Sequence, residues 1–311
     1  MPLSLELRLE QDAFLGEGVQ WRNGRWWWTD IENSRLQAWA PGSTAVQRWA
    51  LSDRLGCFVH TRSGRVLLGL AKRLAWCRLG EDGAVQGLQT LTPVDAGEPR
   101  TRVNDGRTDR RGYFVFGTLN EAHEMRATTR IGSFYQYSLR HGLRRLALPA
   151  VSIANSICFS LDGRTMYFSD TLSQQIQQCD YDAESAQVAN IRPFVQHVQM
   201  DSQEAWPDGA VIDSEGCLWN AQWGAGRVVR YAPNGEVMQV LNADAPHTSC
   251  PALGGEDGRQ IIVTTARQEM SREALLEKPL SGSLFGATLP SALAVADALF
   301  DDDNDDDEKI A

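Results

Sequence analysis

Residues 157–170 read ICFSLDGRTMYFSD, two strand-like apolar runs on either side of LDGR. Asp-Gly between such runs is a hairpin turn signal. The same form recurs as VQWRNGRWWWTD (19–30), FVHTRSGRVLLGL (58–70), RTDRRGYFVFGT (107–118), AVIDSEGCLWNAQ (210–222) and ALGGEDGRQIIVTT (252–265). The turn glycines are Gly24, Gly64, Gly112, Gly163, Gly216 and Gly258, so successive units lie 40, 48, 51, 53 and 42 residues apart. Short strands recurring at about 40–50 residues are the period of propeller blades.

A second strand pair follows in most units, as in RLQAWAPGSTAVQRWAL (35–51) and RVVRYAPNGEVMQVL (227–241), turning at Pro-Gly and Asn-Gly. Six units of four strands predict an all-β, six-bladed β-propeller. The regular spacing argues against a pair of β-sandwiches. After residue 265 one further strand is evident, GSLFGATL (282–289), which leaves the sixth blade one strand short. The N-terminal LSLELRL (3–9) is expected to supply it, closing the last blade and removing an open sheet edge. Residues 1–290 are then the propeller, and 291–311 a C-terminal extension with a disordered acidic tail. Helical periodicity appears only in LPSALAVADALF (289–300), which is expected to form a helix.

The net charge of −10 is mostly the tail DDDNDDDE (301–308). Without residues 301–311 the chain has 33 acids and 29 bases, a mildly acidic body with no basic stripe for a phosphate backbone. Nucleic-acid binding is not expected. No apolar run approaches the length of a membrane span, and the N-terminus lacks the basic start and apolar core of an export signal. A cytoplasmic, membrane-free protein is the expectation, with a monomer as the default. The six cysteines form no CxxC pair and read as reduced, buried thiols.

In a propeller the first strand of each blade lines the central channel, so equivalent positions form a ring. Eight residues before Gly112, Gly163 and Gly216 stand Asn104, Asn155 and Asp208; seven before Gly24, whose turn is one residue shorter, stands Glu17. The same count from Gly64 and Gly258 reaches Gly56 and Cys250. Any one of these Asn or Asp residues could simply satisfy a turn backbone. Four oxygen-bearing side chains in register point instead to a divalent cation, which would relieve two acids converging in a narrow channel. Carboxylate and amide oxygens suit Ca, Mg or Mn, and Zn accepts carboxylates.

LGEGVQW (15–21), RVNDGRTDRRGYFVFGT (102–118), NSICFSLDGRTMYFSDT (155–171), PDGAVIDSEGCLWNAQWGAGRVVRY (207–231) and GSLFGATL together resemble the regucalcin/gluconolactonase (senescence marker protein) family of metal-dependent sugar lactonases. The resemblance spans residues 10 to 287. It implies a six-bladed fold, a divalent metal on Glu17, Asn155 and Asp208, and substrate contacts from Arg102 and Asn104. It places a further contact at Glu121, although the local sequence NEAHEM departs from the family.

The expected reaction is hydrolysis of a sugar lactone, an aldonolactone or a uronic or aldaric lactone, to its open acid. The metal would act as a Lewis acid, and Asp208 as general base or as the ligand that orients the water. The absence of a G-x-S-x-G motif argues against a serine nucleophile. Another metal-dependent ester or phosphotriester hydrolase, or a non-catalytic metal-binding propeller, are the alternatives. His60, His123 and His247 are candidates for the channel mouth, though a lone His near a strand end is more often structural. Arg126 and Arg267 are candidates for a substrate carboxylate. The tryptophans, Trp26 to Trp28 among them, are expected to pack between blades.

Overall fold

The computed structural model describes residues 3–122, 124 and 128–303. The repeat forms six four-stranded antiparallel sheets, five of them built from consecutive strands. The innermost strands are Gly16–Arg22, Leu55–His60, Thr101–Thr108, Ala154–Phe159, Trp206–Ile212 and Thr248–Gly254, in blades 1 to 6. Each packs against the inner strand of the next blade, and blade 6 against blade 1, closing the circle. The sixth sheet is completed by the N-terminal strand Glu6–Leu9 paired with Leu284–Thr288. The expected closure is therefore present, and the ends of the propeller are held by backbone hydrogen bonds.

The apolar runs are near-continuous because every blade is covered on both faces. Buried side chains sort into one cluster per blade interface. Neighbouring residues on one strand serve opposite interfaces, as Leu67 packs toward blade 3 and Leu68 toward blade 1. Tryptophan follows the same rule. Trp26 and Trp28 pack against blade 6, while Trp27 stacks on Trp49 toward blade 2. A large ring fills the wedge that opens as blades diverge from the axis.

Each inner strand carries a register irregularity in its pairing with the second strand. The breaks lie at Glu17/Gln20, Leu55/Cys57, Val103/Gly106, Asn155/Cys158, Pro207/Ala210 and Thr248/Pro251. A bulge breaks the two-residue alternation and re-aims side chains. All six occur at the ring positions counted from the turn glycines. At Gly56 no side chain fits, since a Cβ there would overlap the Val103 carbonyl of blade 3.

The stretch 289–300 is not helical. It is an extended strap across the face that carries the turn glycines. The Leu293 amide donates to Gly258 O (3.0 Å) and its carbonyl accepts from Ser214 (3.0 Å), tying blades 6 and 5. Asp297 then pairs with Arg107 (2.8 Å), and Phe300 N donates to His60 O (2.9 Å), tying blades 3 and 2. Twelve helical residues reach ~18 Å and twelve extended ones up to ~40 Å, so only the extended form crosses between blades. The alanines give little side chain to pack, whereas Leu293 enters the interface of blades 5 and 6, and Phe300 that of blades 2 and 3. The one helix among the described residues that exceeds a single turn is Arg272–Glu277, capped by Ser271. Residues 304–311 lie outside the described residues.

Phe300 is fully buried and stacks on Tyr137 with rings 6° apart. Phe300→Ala is expected to cost roughly 3–5 kcal/mol, read as a lower denaturant midpoint at unchanged slope. Asp303→Ala, at an exposed end of the strap, should stay within about 0.5 kcal/mol. Equal effects of the two would remove the strap from the cooperative fold.

Candidate functional site

At the end of the channel opposite the strap, a cavity of about 330 Å³ opens between the blades. Glu17, Arg102, Asn104, Asn155 and Asp208 all line it. Five of the six predicted site residues thus meet in one place although they come from four blades. The sixth, Glu121, stands at the rim, where its Oε1 is 3.9 Å from Arg102 Nε and 2.6 Å from Arg54 Nη1. Of the remaining ring positions, Gly56 contributes only backbone, and Cys250 is buried outside the lining.

A chain of hydrogen bonds crosses three blades and orients the amides. Arg102 Nη1 donates to Asn104 Oδ1 (2.8 Å) and to Val103 O (3.0 Å). Asn104 Nδ2 donates to Asn155 Oδ1 (2.9 Å) and to Ala154 O (3.0 Å). Asn155 Nδ2 donates to Thr171 Oγ1 (2.9 Å), whose own proton goes to Pro207 O (3.0 Å). Because a hydroxyl has one proton, Thr171 must accept from Asn155. The amide nitrogen of Asn155 is thereby fixed toward Thr171, and its oxygen toward Asn104 and the channel.

Asp208 is buried and Glu17 half-buried, and the two carboxyls lie close enough to act on each other. Burial, and then the charge of Asp105, push Glu17 up to about 8, against one bond donated by Gly18 N to its Oε2 (3.0 Å). Burial and the charge of Glu17 push Asp208 well above the usual carboxylate range. Two carboxylates this close, both with raised pKa values, must share a proton or a cation. No group of three or more His, Cys, Asp or Glu side chains converges as a metal site among the described residues. A cation here would rest on Glu17, Asp208 and the Asn155 amide oxygen, a hard oxygen set. The donor chemistry and the unrelieved pair of acids both fit a divalent ion.

Ser156 supports this floor from below. It holds a left-handed φ of 59°, unusual for a residue with a side chain, and its hydroxyl donates to Asp208 O (2.6 Å). Asn220 Nδ2 donates to the same carbonyl (3.0 Å), so two side chains fix the backbone of Asp208.

Other contributors are absent from the sequence reading. Asp105 is half-buried beneath the two acids, where desolvation raises its pKa against a bond from Ile157 N (2.9 Å) and the charge of Arg107. It follows Asn104 directly, and strict strand alternation would turn it away; the bulge between Val103 and Gly106 is what defeats that rule. Trp206, Trp223, Leu15, Leu119, Gln268 and Glu269 form walls of the cavity. They lie at strand ends and in loops, where no repeat position marks them.

The remaining candidates fall elsewhere. His60 lies at the strap end, its ring edge-on to Trp27, and burial lowers it to about 4. Its placement at the mouth is therefore corrected: it ends an inner strand and so sits at the turn face. His247 lies behind the cavity wall, stacked on Trp223 at 4.2 Å. Arg267 donates to Ser281 O (2.7 Å) and Pro279 O (3.4 Å) and does not line the cavity, so its carboxylate-binding role is also corrected. His123 and Arg126 lie outside the described residues.

Residues 15–267 match the family model described as SMP-30/Gluconolactonase/LRE-like region. An L-arabinolactonase of Azospirillum brasilense is 42% identical over 88% of each chain. A 6-deoxy-6-sulfogluconolactonase of Pseudomonas putida is 30% identical over 96% of this chain and 98% of its own. A solved structure from Agrobacterium tumefaciens, described as a calcium-binding protein, regucalcin, superposes with a TM-score of 0.84 at 27% identity, covering 96% and 98% of the two chains.

Restoring a divalent ion to chelated protein is expected to raise its melting temperature, through a stabilisation of up to ~4 kcal/mol at a thousandfold excess over Kd. Asn155→Ala and Asp208→Asn should lose that gain. Above about pH 8, Glu17→Gln should melt above the metal-free native protein, because the amide stays uncharged where the native pair would give up the proton they share. If calorimetry finds no ion that moves the midpoint, the donor set is not a cation site.

Proposed function

Because the chain belongs to the SMP-30/gluconolactonase/LRE-like family, we propose that it hydrolyses a sugar lactone to the open-chain acid, with a divalent cation held by Glu17, Asn155 and Asp208. The observation that carries the reading is the close approach of two carboxyls, Glu17 and the buried Asp208, in a cavity whose wall presents Arg102 and Asn104. Lactonases among the relatives support the reaction class. The calcium-binding description of the regucalcin structure supports a divalent ion without choosing among Ca, Zn, Mn and Mg.

A lactone is an internal ester, so water must attack the carbonyl carbon and the ring C–O bond must break. When bound, the cation would supply Lewis-acid polarisation and charge balance for the two acids. Asp208 accepts a proton from the attacking water, or holds that water in line, and the proton passes to the departing ring oxygen. Its backbone, held by Ser156 and Asn220, keeps the carboxylate from swinging. Arg102 sits where its guanidinium can donate to lactone oxygens as charge builds, backed by Asn104 and facing Glu121. Glu121, bridging Arg54 and Arg102, offers an acceptor to sugar hydroxyls at the rim. The apolar walls exclude bulk water and strengthen each of these interactions.

Acid release from a panel of aldonolactones and uronolactones tests the proposal, with metal-stripped protein and single ions added back. Asp208→Ala is expected to lower kcat/KM by about 10²–10⁴-fold, with Arg102→Lys losing part of that through its bidentate geometry. Cation binding without turnover of any lactone would reject the reaction.

A further inference from the structure

Thr171 stands outside the proposed ligand set, yet it touches the side chain of one ligand and the backbone beside another. It lines the cavity and is only 8% exposed. Its Oγ1 accepts from Asn155 Nδ2 of its own blade (2.9 Å) and donates to Pro207 O of blade 5 (3.0 Å), the carbonyl directly before Asp208. The hydroxyl is firmly placed. Thr171 opens a single 3-10 turn, Thr171–Ser173, and its amide donates to Ile153 O (3.0 Å). Asp170 Oδ1 accepts from Ile153 N (3.2 Å), so the approach to Asn155 is gripped at both polar atoms of one residue. The turn is tied to blade 5 as well, through Gln174 Nε2 to Ala205 O (3.1 Å).

The relay that ends at Thr171 has one polarity. A guanidinium only donates and a peptide carbonyl only accepts. Arg102 at one end and Pro207 O at the other therefore demand the same direction through Asn104, Asn155 and Thr171. Turning the Asn155 amide over would set its nitrogen against Asn104 Nδ2, two donors face to face. The Thr171 proton would then be drawn to the Asn155 oxygen, and Pro207 O would lose its donor. Each of these losses is costly in a buried place.

We propose that Thr171 is a positioning residue for the divalent cation: by accepting from Asn155 Nδ2, it holds the amide oxygen of Asn155 toward the ion. The inference rests on the cation reading and adds to it a residue that acts through a ligand. Valine keeps the size and β-branch of threonine but offers no acceptor. In Thr171→Val the Asn155 nitrogen has no partner on that side, and the amide is released to turn this nitrogen toward the channel. A nitrogen with two protons cannot ligate a hard cation.

The test reads ion affinity with no lactone present. Chelated protein is titrated calorimetrically with calcium, magnesium, manganese and zinc in turn. Thr171→Val is expected to weaken the tightest-bound ion by about 10–100-fold, and Thr171→Ser, which keeps the hydroxyl, to stay within about threefold of native. Asn155→Asp separates orientation from folding, because a carboxylate presents oxygen whichever way it turns. In that background Thr171→Val should change the affinity by less than about threefold. Equal losses in both backgrounds, a loss with serine as large as with valine, or native affinity in Thr171→Val overturns the proposal and leaves the cation site standing. Native protein that binds none of the four ions rejects the cation reading, and the proposal with it.

Discussion

Six inner strands meeting around one axis leave almost no room at the centre, and that crowding governs the molecule. Where blade 2 approaches blade 3, no side chain is tolerated at Gly56. Where blade 5 approaches blade 6, a Cβ on Gly209 would come within 2.8 Å of the Cys250 side chain. The bulges follow from the same crowding, since each inner strand must bend past its neighbours, and each bend turns a chosen side chain into the channel. Side chains that enter such a space are desolvated by construction, whatever their chemistry.

Charge is therefore arranged along the axis. Arg102 stands at the cavity, Glu17 and Asp208 below it, Asp105 deeper still, and Arg107 beneath that, paired with Asp297 of the strap. Three acids in succession are more than two arginines can balance in a medium that screens little. The excess falls at Glu17 and Asp208, where the pKa values are raised and a divalent ion is proposed. The strap matters to this arrangement because Asp297 holds Arg107 at the channel's second end, and Phe300 anchors the crossing in the core between blades 2 and 3. The cavity opens at the end opposite the strap, and the charged layer beneath it is partly shielded by the blades.

Much of this was legible in the residues. The turn glycines marked six hairpins because only a residue tolerant of positive φ fits those corners, and all six have it. Counting from them found Glu17, Asn104, Asn155 and Asp208, because a rigid repeat puts equal offsets at equal heights on the axis. Arg102 and Glu121 came from the family resemblance, and the structure sets them beside each other. Asp105 escaped because the count assumed one channel residue per strand, whereas a bulge admits two. The extension misled for a different reason. Its apolar spacing suits a helix face, yet Leu293 and Phe300 insert into different blade interfaces, and periodicity carries no information about separated partners.

The order of turns, strands and ring positions was set by local chemistry, which the amino-acid sequence alone determines: glycine at φ-positive corners, β-branched and aromatic residues between them, and an N-terminal strand to complete the sixth sheet. Only the tertiary structure decided which way each side chain faces once the bulges break alternation, that Trp206 and Trp223 of blade 5 share a cavity with Arg102 of blade 3, and that the strap crosses the far end. The division has a physical cause. Backbone preference and hairpin closure act over a few residues, but the site is made of contacts between blades, and those exist only after the circle closes.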